Sequence, residues 1–394
     1  KHLPTALTQN KVAALVVVDD ETHLDAMIAA FARLDRRISY KTRSGKSVKY
    51  EATKPSIKVL FVDSKGLIVR PSDRSKKLFD SIAWGMTFVD RPPTELNPEA
   101  FAKDIKKRFS KTKWVNTTEI LGKDLLKNRL EGIWSVGRAA LKAPRLLALH
   151  YKPKGAEKTI ALAGKGITYD SGGLNIKISG SMSGMKTDMG GAATVIAAFD
   201  HLVKSKCRNE VIAVVGLAEN AVSEESLKPD DIITMHSGLT VEINNTDAEG
   251  RLVLGDICSW VARKYKPSIL IDAATLTGAQ LISTGMNHAA IVSNNEKLEQ
   301  QTVKAGKLTG DLVHPLVFAP DILRGEFSSE IADMKNSVRN RMNAQSSCAA
   351  NFIYSHIEDI KGLKWLHIDL AGPCSTSDNL ATGYGVTLLS ELCR

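Results

Sequence analysis

From residue 145 onward the chain alternates short apolar runs with longer segments of helical period. "RLLALHY" (145–151), "TIALAGKG" (159–166), "EVIAVVGLAEN" (210–220), "SILIDAATLTG" (268–278) and "WLHIDLAG" (365–372) have the length and near-continuous apolarity of strands buried on both faces. "GGAATVIAAFDHLVKS" (190–205) and "LVLGDICSWVARKY" (252–265) read as helices between them. Parallel strands need long crossovers, and helices supply them. The alternation therefore predicts an α/β fold on a mixed, mainly parallel sheet flanked by helices. Such sheets bind ligands beyond the carboxyl ends of their strands. Polar residues gather there: Lys165, Asp170, Glu219, Asp247, Glu249 and Thr275.

Upstream, "KVAALVVV" (11–18) and "IKVLFV" (57–62) read as strands, with a helical pattern over 21–36 between them. A charged helical segment, 73–88, leads to "DRPPTELNPEAF" (90–101). Pro92 and Pro93 interrupt structure there, and Asn97-Pro98 has the form of an N-cap followed by proline at the first helical position. The expected organisation is a small N-terminal α/β domain over 1–70, a linker helix over 71–93, and a larger domain over 94–394.

Composition narrows the class. Forty-three per cent hydrophobic and 24 per cent charged residues are ordinary for a globular chain. No apolar run approaches the ~18 residues of a membrane span, and no signal-peptide pattern opens the chain. It begins on lysine, so its start is read as trimmed. Five scattered cysteines without a C-x-x-C pair argue against a disulfide framework or a zinc finger, and suit a reducing compartment. Of the net charge of +10, residues 1–80 carry +7. A solvated basic face accounts for that excess, and neither aromatic interleaving nor finger spacing supports nucleic-acid binding.

The chemistry concentrates in two stretches. In "AGKGITYDSGGLNIKISGSMSGMKTDMGGAAT" (163–194), Lys165 follows an apolar strand end and Asp170 sits in a glycine-flanked turn. Lys177 lies farther along, and Asp188 precedes a Gly-Gly helix start. Alone, Asp188 reads as an N-cap and Lys165 as a surface lysine. In "NNTDAEGRL" (244–252), the i, i+2 spacing puts Asp247 and Glu249 on one side of an extended segment. Four carboxylates converging on one crevice repel unless positive charge sits among them. Two divalent cations meet that need, and oxygen ligands suit Zn²⁺, Mn²⁺ or Mg²⁺. Lys165 can join only as a neutral amine, which an adjacent dication would enforce. The pattern fits a two-metal hydrolase. "GKG" lacks the P-loop frame, "SGSMSG" places Met182 where a nucleophilic serine would stand, and no H-E-x-x-H occurs.

"NTDAEGRL", with "GKGITYDSGGLNIK", "MKTDMGGAAT" and "DAATLTGA", strongly resembles the leucyl aminopeptidase (cytosol aminopeptidase) family of dizinc exopeptidases, in order and spacing, over roughly 85–394. The stretch "GDLVHPLVFAPDI … IADMKNSVRNRMNAQSSCAANFI" is similar to the family's aminopeptidase-like 1 branch, where the commoner pattern is rich in glycine and alanine. The resemblance implies that Asp170, Asp247 and Glu249 hold a first, more exchangeable metal. Lys165, Asp170, Asp188 and Glu249 would hold the second. It further implies that Lys177 donates to the substrate carbonyl oxygen and that Arg251 anchors a bicarbonate ion acting as general base. Met185, Thr275, Gly278 and Ala371 would line the side-chain pocket, with Cys374 where the family often has methionine. The implied protein is a cytoplasmic homohexamer that releases apolar N-terminal residues from peptides. A pseudoenzyme scaffold would be expected to have lost ligands, and here all are present. Accessory DNA binding would rest only on the basic first domain.

Overall fold

The computed structural model describes residues 13–35, 37–38 and 58–394. At the N-terminus, strands Ala13–Val17 and Lys58–Val62 pair in parallel, and Ile68–Val69 adds an antiparallel edge. The expected strands begin at residues 11 and 57, which lie outside the described residues. The helix read over 21–36 is shorter. A 3₁₀ turn, Glu21–His23, is capped by Asp20 and leads into Leu24–Ala32. Phe31 meets Phe61 edge-on, with ring centroids 5.8 Å apart.

Helix Asp73–Asp90 starts where Ser72 accepts the Ser75 amide hydrogen bond, at 3.0 Å. Its buried stripe of Leu78, Ile82, Met86 and Val89 belongs to the same apolar core as helix Gly190–Lys204. Helix Pro98–Phe109 begins as its sequence requires, with the Asn97 side chain accepting from the Ala100 amide and proline in the first turn.

The main sheet has eight strands. In spatial order they are Val313–Pro315, Ala289–Ser293, Lys364–Asp369, Ile269–Ala274, Thr159–Asp170, Glu210–Asn220, Arg145–Tyr151 and Val115–Leu121. The four central strands, from Lys364–Asp369 to Glu210–Asn220, run parallel. Antiparallel neighbours flank them on both sides, so the sheet is mixed. A smaller sheet joins Met334–Lys335, Thr240–Glu242 and Ile232–Thr234.

Alternate strand residues feed two cores. Leu147, Leu149, Ile160, Leu162, Val211 and Ala213 face helices 73–90, 98–109, 190–204 and 386–392. Leu146, Ala148, Ala161, Ala163, Ile212 and Val214 face helices 131–137, 250–265 and 345–355. Burial on both faces is why these strands read as unbroken apolar runs rather than as alternating ones. Helix Gly190–Lys204 sits so close to the sheet that a Cβ on Gly191 would lie 2.1 Å from the Ala273 carbonyl oxygen. That contact fixes the segment preceding the helix, which carries Asp188.

Candidate metal centre and active site

Two neighbouring parallel strands set up the site. Thr159–Asp170 carries Lys165 along its length and Asp170 at its carboxyl end, while Glu210–Asn220 ends beside it at Asn220. Asn220 Nδ2 donates to Asp170 Oδ1 at 2.9 Å, and the Gly172 amide donates to the same oxygen at 2.9 Å. Glu219, which the sequence placed in the cluster, projects to the opposite face of its strand from Asn220. Partial burial raises its carboxyl pKa, but it does not join the other carboxylates. Asn220 supplies the contact instead.

Asp247 and Glu249 do not lie in an extended segment. Residues 243–249 turn after strand Thr240–Glu242, and Glu249 already has helical angles (φ −75, ψ −35) as the residue capping helix Gly250–Tyr265. The turn nevertheless delivers both carboxylates to the crevice. One oxygen from each of Asp170, Asp247 and Glu249 falls within 4.8 Å of the others. Thr246, buried between them, accepts from the Asn175 amide and donates to the Gly172 carbonyl, locking this turn onto the loop after Asp170.

Asp188 is not the N-cap of helix Gly190–Lys204, a position that Met189 takes. Its Oδ1 accepts from Lys165 Nζ at 2.9 Å and from Thr275 Oγ1 at 2.8 Å. Lys165 Nζ is also 3.0 Å from Glu249 Oε1 and donates to the Thr275 carbonyl. Gly250 makes room for it, since a Cβ there would stand 2.7 Å from Nζ. Lys177, the more exposed of the two lysines, lies 2.7 Å from Asp170 Oδ2 and 2.5 Å from Asp247 Oδ1.

Four carboxylates thus face two ammonium groups, and the excess negative charge governs the electrostatics. Burial and mutual repulsion raise the pKa values of Asp188, Glu249 and Asp247. Burial disfavours the Lys165 and Lys177 ammonium forms, yet the adjacent carboxylates outweigh it and hold both pKa values above the ordinary lysine value. Burial lowers that of Arg251 to about 10, with Glu249 opposing, so the guanidinium stays cationic at neutral pH. Asp188 Oδ2 and Glu249 Oε2 are buried without a hydrogen-bond partner among the described residues. A buried acceptor left unpaired costs roughly 1–3 kcal/mol. Unpaired carboxylate oxygens, excess negative charge and an oxygen-rich donor set together fit divalent cations.

The comparisons with known proteins agree with this chemistry. The profile of the cytosol aminopeptidase family, catalytic domain, matches residues 84–390. The chain belongs to the cytosol aminopeptidase family. Probable aminopeptidase NPEPL1 of Homo sapiens is 42% identical over 391 residues, 98% of this chain and 74% of that protein. Leucine aminopeptidase 1 of Caenorhabditis elegans is 44% identical over 316 residues, 80% of this chain and 64% of that protein. Leucyl aminopeptidase of Trypanosoma brucei, solved in complex with actinonin, superposes with a TM-score of 0.90 at 37% identity, covering 97% of this chain and 73% of that one. The chain is accordingly a peptidase hydrolase of a metal-dependent aminopeptidase family.

In this family member the remaining predicted residues surround the same strand ends. Met185 opens the 3₁₀ turn Met185–Thr187, directly before Asp188. Thr275 follows strand Ile269–Ala274, and Gly278 begins the next helix. Ala371 follows strand Lys364–Asp369, where Asp369 Oδ1 accepts from the amides of Leu276, Thr277 and Ala371. Thr275 and Cys374 both lie against Gly190.

Asn336, like Asn220, is a residue of this aminopeptidase that sequence reasoning missed. Fully buried, it accepts at Oδ1 from the amides of Asn244 and Asn245 and donates from Nδ2 to the carbonyls of Asn245 and Ala248. Its own carbonyl accepts from Arg251 Nη1 at 2.9 Å. One side chain therefore fixes the carboxylate turn while its backbone aims the arginine. The only sequence hint was its place in "IADMKNSV", within the stretch similar to the aminopeptidase-like 1 branch.

Proposed function

We propose that this aminopeptidase removes apolar, leucine-like residues from the free N-termini of peptides, using two divalent cations. Asp170, Asp247 and Glu249 would hold one cation and Lys165, Asp170, Asp188 and Glu249 the other. Zinc is the proposed metal, with manganese or magnesium at the exchangeable first position. Bound there, the cations supply a water of lowered pKa and positive charge beside the scissile carbonyl. Lys177 donates a hydrogen bond to the carbonyl oxygen as it gains negative charge, from a side chain less buried than that of Lys165. Arg251 anchors a bicarbonate ion as the proton acceptor. Thr275 fixes Asp188, and together with Met185, Gly278 and Ala371 it shapes the site for the leaving residue's side chain.

The reading is carried by one observation: two lysines and four carboxylates converge at the strand ends while two buried carboxylate oxygens lack a partner among the described residues. A cytoplasmic homohexamer and the division into domains 1–70, 71–93 and 94–394 are proposed with it. No helix among the described residues is long and apolar enough to cross a membrane. Metal analysis, combined with hydrolysis of a panel of aminoacyl substrates with and without chelator, tests the proposal. Bound divalent metal, preference for leucine-like substrates and loss of activity on chelation are expected. Full turnover by metal-stripped protein would contradict it.

A further inference from the structure

The amino ends of the same central strands, one strand length from the carboxylates, open into a second cleft of about 750 Å³. Along the Thr159–Asp170 strand, Lys165 lies six residues and Asp170 eleven residues from the amino end, which puts this cleft roughly 20–35 Å from the metal centre. Three loops form its walls: the one before strand Val115–Leu121, the one between strands Arg145–Tyr151 and Thr159–Asp170, and the one following helix Gly190–Lys204. Tyr151 ties two of them together, its hydroxyl donating to the Cys207 carbonyl at 3.2 Å. The cleft is thus preformed.

Its lining is strongly cationic. Lys113, Lys154, Lys206 and Arg208 surround it, all exposed, against the single carboxylate of Glu157. None of these four cations forms an ion pair among the described residues, so their charge is not neutralised from within the fold. An unneutralised cluster of this kind focuses potential and attracts anions.

The lining also holds Trp114, 66% exposed. No aromatic ring stacks on it and no cation covers it among the described residues. Its backbone is left-handed, at φ +69, and its carbonyl is fastened by the Lys152 amide at 3.2 Å. Lys206 across the cleft is left-handed too, at φ +57. Non-glycine residues held in that region are strained, and such strain concentrates at binding sites. Here it presents an indole face and a lysine to the same space.

We propose that this cleft binds a nucleoside di- or triphosphate, with the base stacked on Trp114 and the phosphates among Lys113, Lys154, Lys206 and Arg208. A flat aromatic ring joined to clustered negative charge is the chemistry the lining complements. The volume lies in the range of small-molecule sites, which favours a single nucleotide over a nucleic-acid strand. This site does not depend on the peptidase reading.

Equilibrium dialysis of the full chain against adenosine triphosphate, with magnesium in excess, tests it. Inorganic triphosphate and a thymidine decanucleotide serve as further probes. Saturable nucleotide binding is expected, weakened about tenfold or more by Trp114→Ala and abolished by Lys206→Glu with Arg208→Glu. Peptide hydrolysis should be unchanged in all variants, which shows that they fold. Inorganic triphosphate should bind more weakly, with no response to Trp114→Ala. Nucleotide binding that ignores both sets of substitutions would place it elsewhere, the metal centre included, and overturn the proposal. So would absence of binding at millimolar nucleotide, or tighter binding of the decanucleotide, which would make the cleft a nucleic-acid surface.

Discussion

At the scale of single residues, the two lysines of the site divide the carboxylates between them, Lys165 meeting Asp188 and Glu249 and Lys177 meeting Asp170 and Asp247, and they differ in surroundings. Lys165 is enclosed, with Gly250 leaving space for its amine, whereas Lys177 reaches the crevice mouth. Ligation is the proposed role of the first and oxyanion stabilisation that of the second, and mutagenesis separates these roles. Glu249→Ala should lose metal and reduce activity to background, because Glu249 is assigned to both cations. Lys177→Ala should retain metal yet lose about 10²–10³ in kcat, as expected for removing one well-placed donor. Metal content measured beside turnover checks both, and metal loss in Lys177→Ala would move that residue into the ligand set. All these side chains were legible in the sequence, because ligating carboxylates and lysines are distinctive residue types in a distinctive order. Asn220 and Asn336 were not. Each acts through hydrogen bonds to a segment distant in the sequence, and an asparagine carries no mark of such a contact.

At the scale of elements, the carboxylate turn is the feature that spacing misdescribed. The i, i+2 spacing predicts an extended segment, but helix Gly250–Tyr265 begins so early that Glu249 is already helical. What orients the turn is the neighbouring short strand Met334–Lys335 and the Asn336 that follows it. Partners of ligating groups typically contribute 10–100-fold to metal affinity or activity. Asn336→Ala should therefore weaken metal binding by about that factor in a chelator-competition titration. Unchanged metal affinity would reduce Asn336 to a purely structural part. The central strands were readable because burial on both faces makes continuous apolar runs. The edge strand Val115–Leu121 was not, since Asn116, Thr117, Thr118 and Glu119 break any such run. That Arg145–Tyr151 runs antiparallel is a property of the pairing rather than of the segment, and no local pattern encodes it.

At the scale of the whole molecule, the sheet buries titratable groups that serve neither metal nor substrate. His356 is fully buried, its Nδ1 2.8 Å from Ser237 Oγ and its Nε2 without a partner among the described residues. Burial, with Arg263 nearby, lowers its pKa to about 3. An unfolded imidazole protonates near pH 6.5, so below that pH the unfolded chain takes up a proton that the folded chain refuses. This group leaves stability intact above pH 6.5 and erodes it by about 1.4 kcal/mol per pH unit on acidification, until pH about 3. Urea unfolding between pH 7 and 5 should show a shallower loss in His356→Gln than in the wild type, and equal slopes would refute the assignment. The central claim concerns the whole site acting on one end of a peptide, and blocking that end tests it most directly. Acetylating the substrate's N-terminus removes the basic lone pair of its amine and adds bulk beside Lys165 and Asp188. The account predicts that the free-amine peptide is shortened one residue at a time, in a chelator-sensitive manner, while its N-acetyl form resists. Chelator-sensitive internal cleavage of the acetylated peptide would leave a metal-dependent hydrolase and contradict the aminopeptidase.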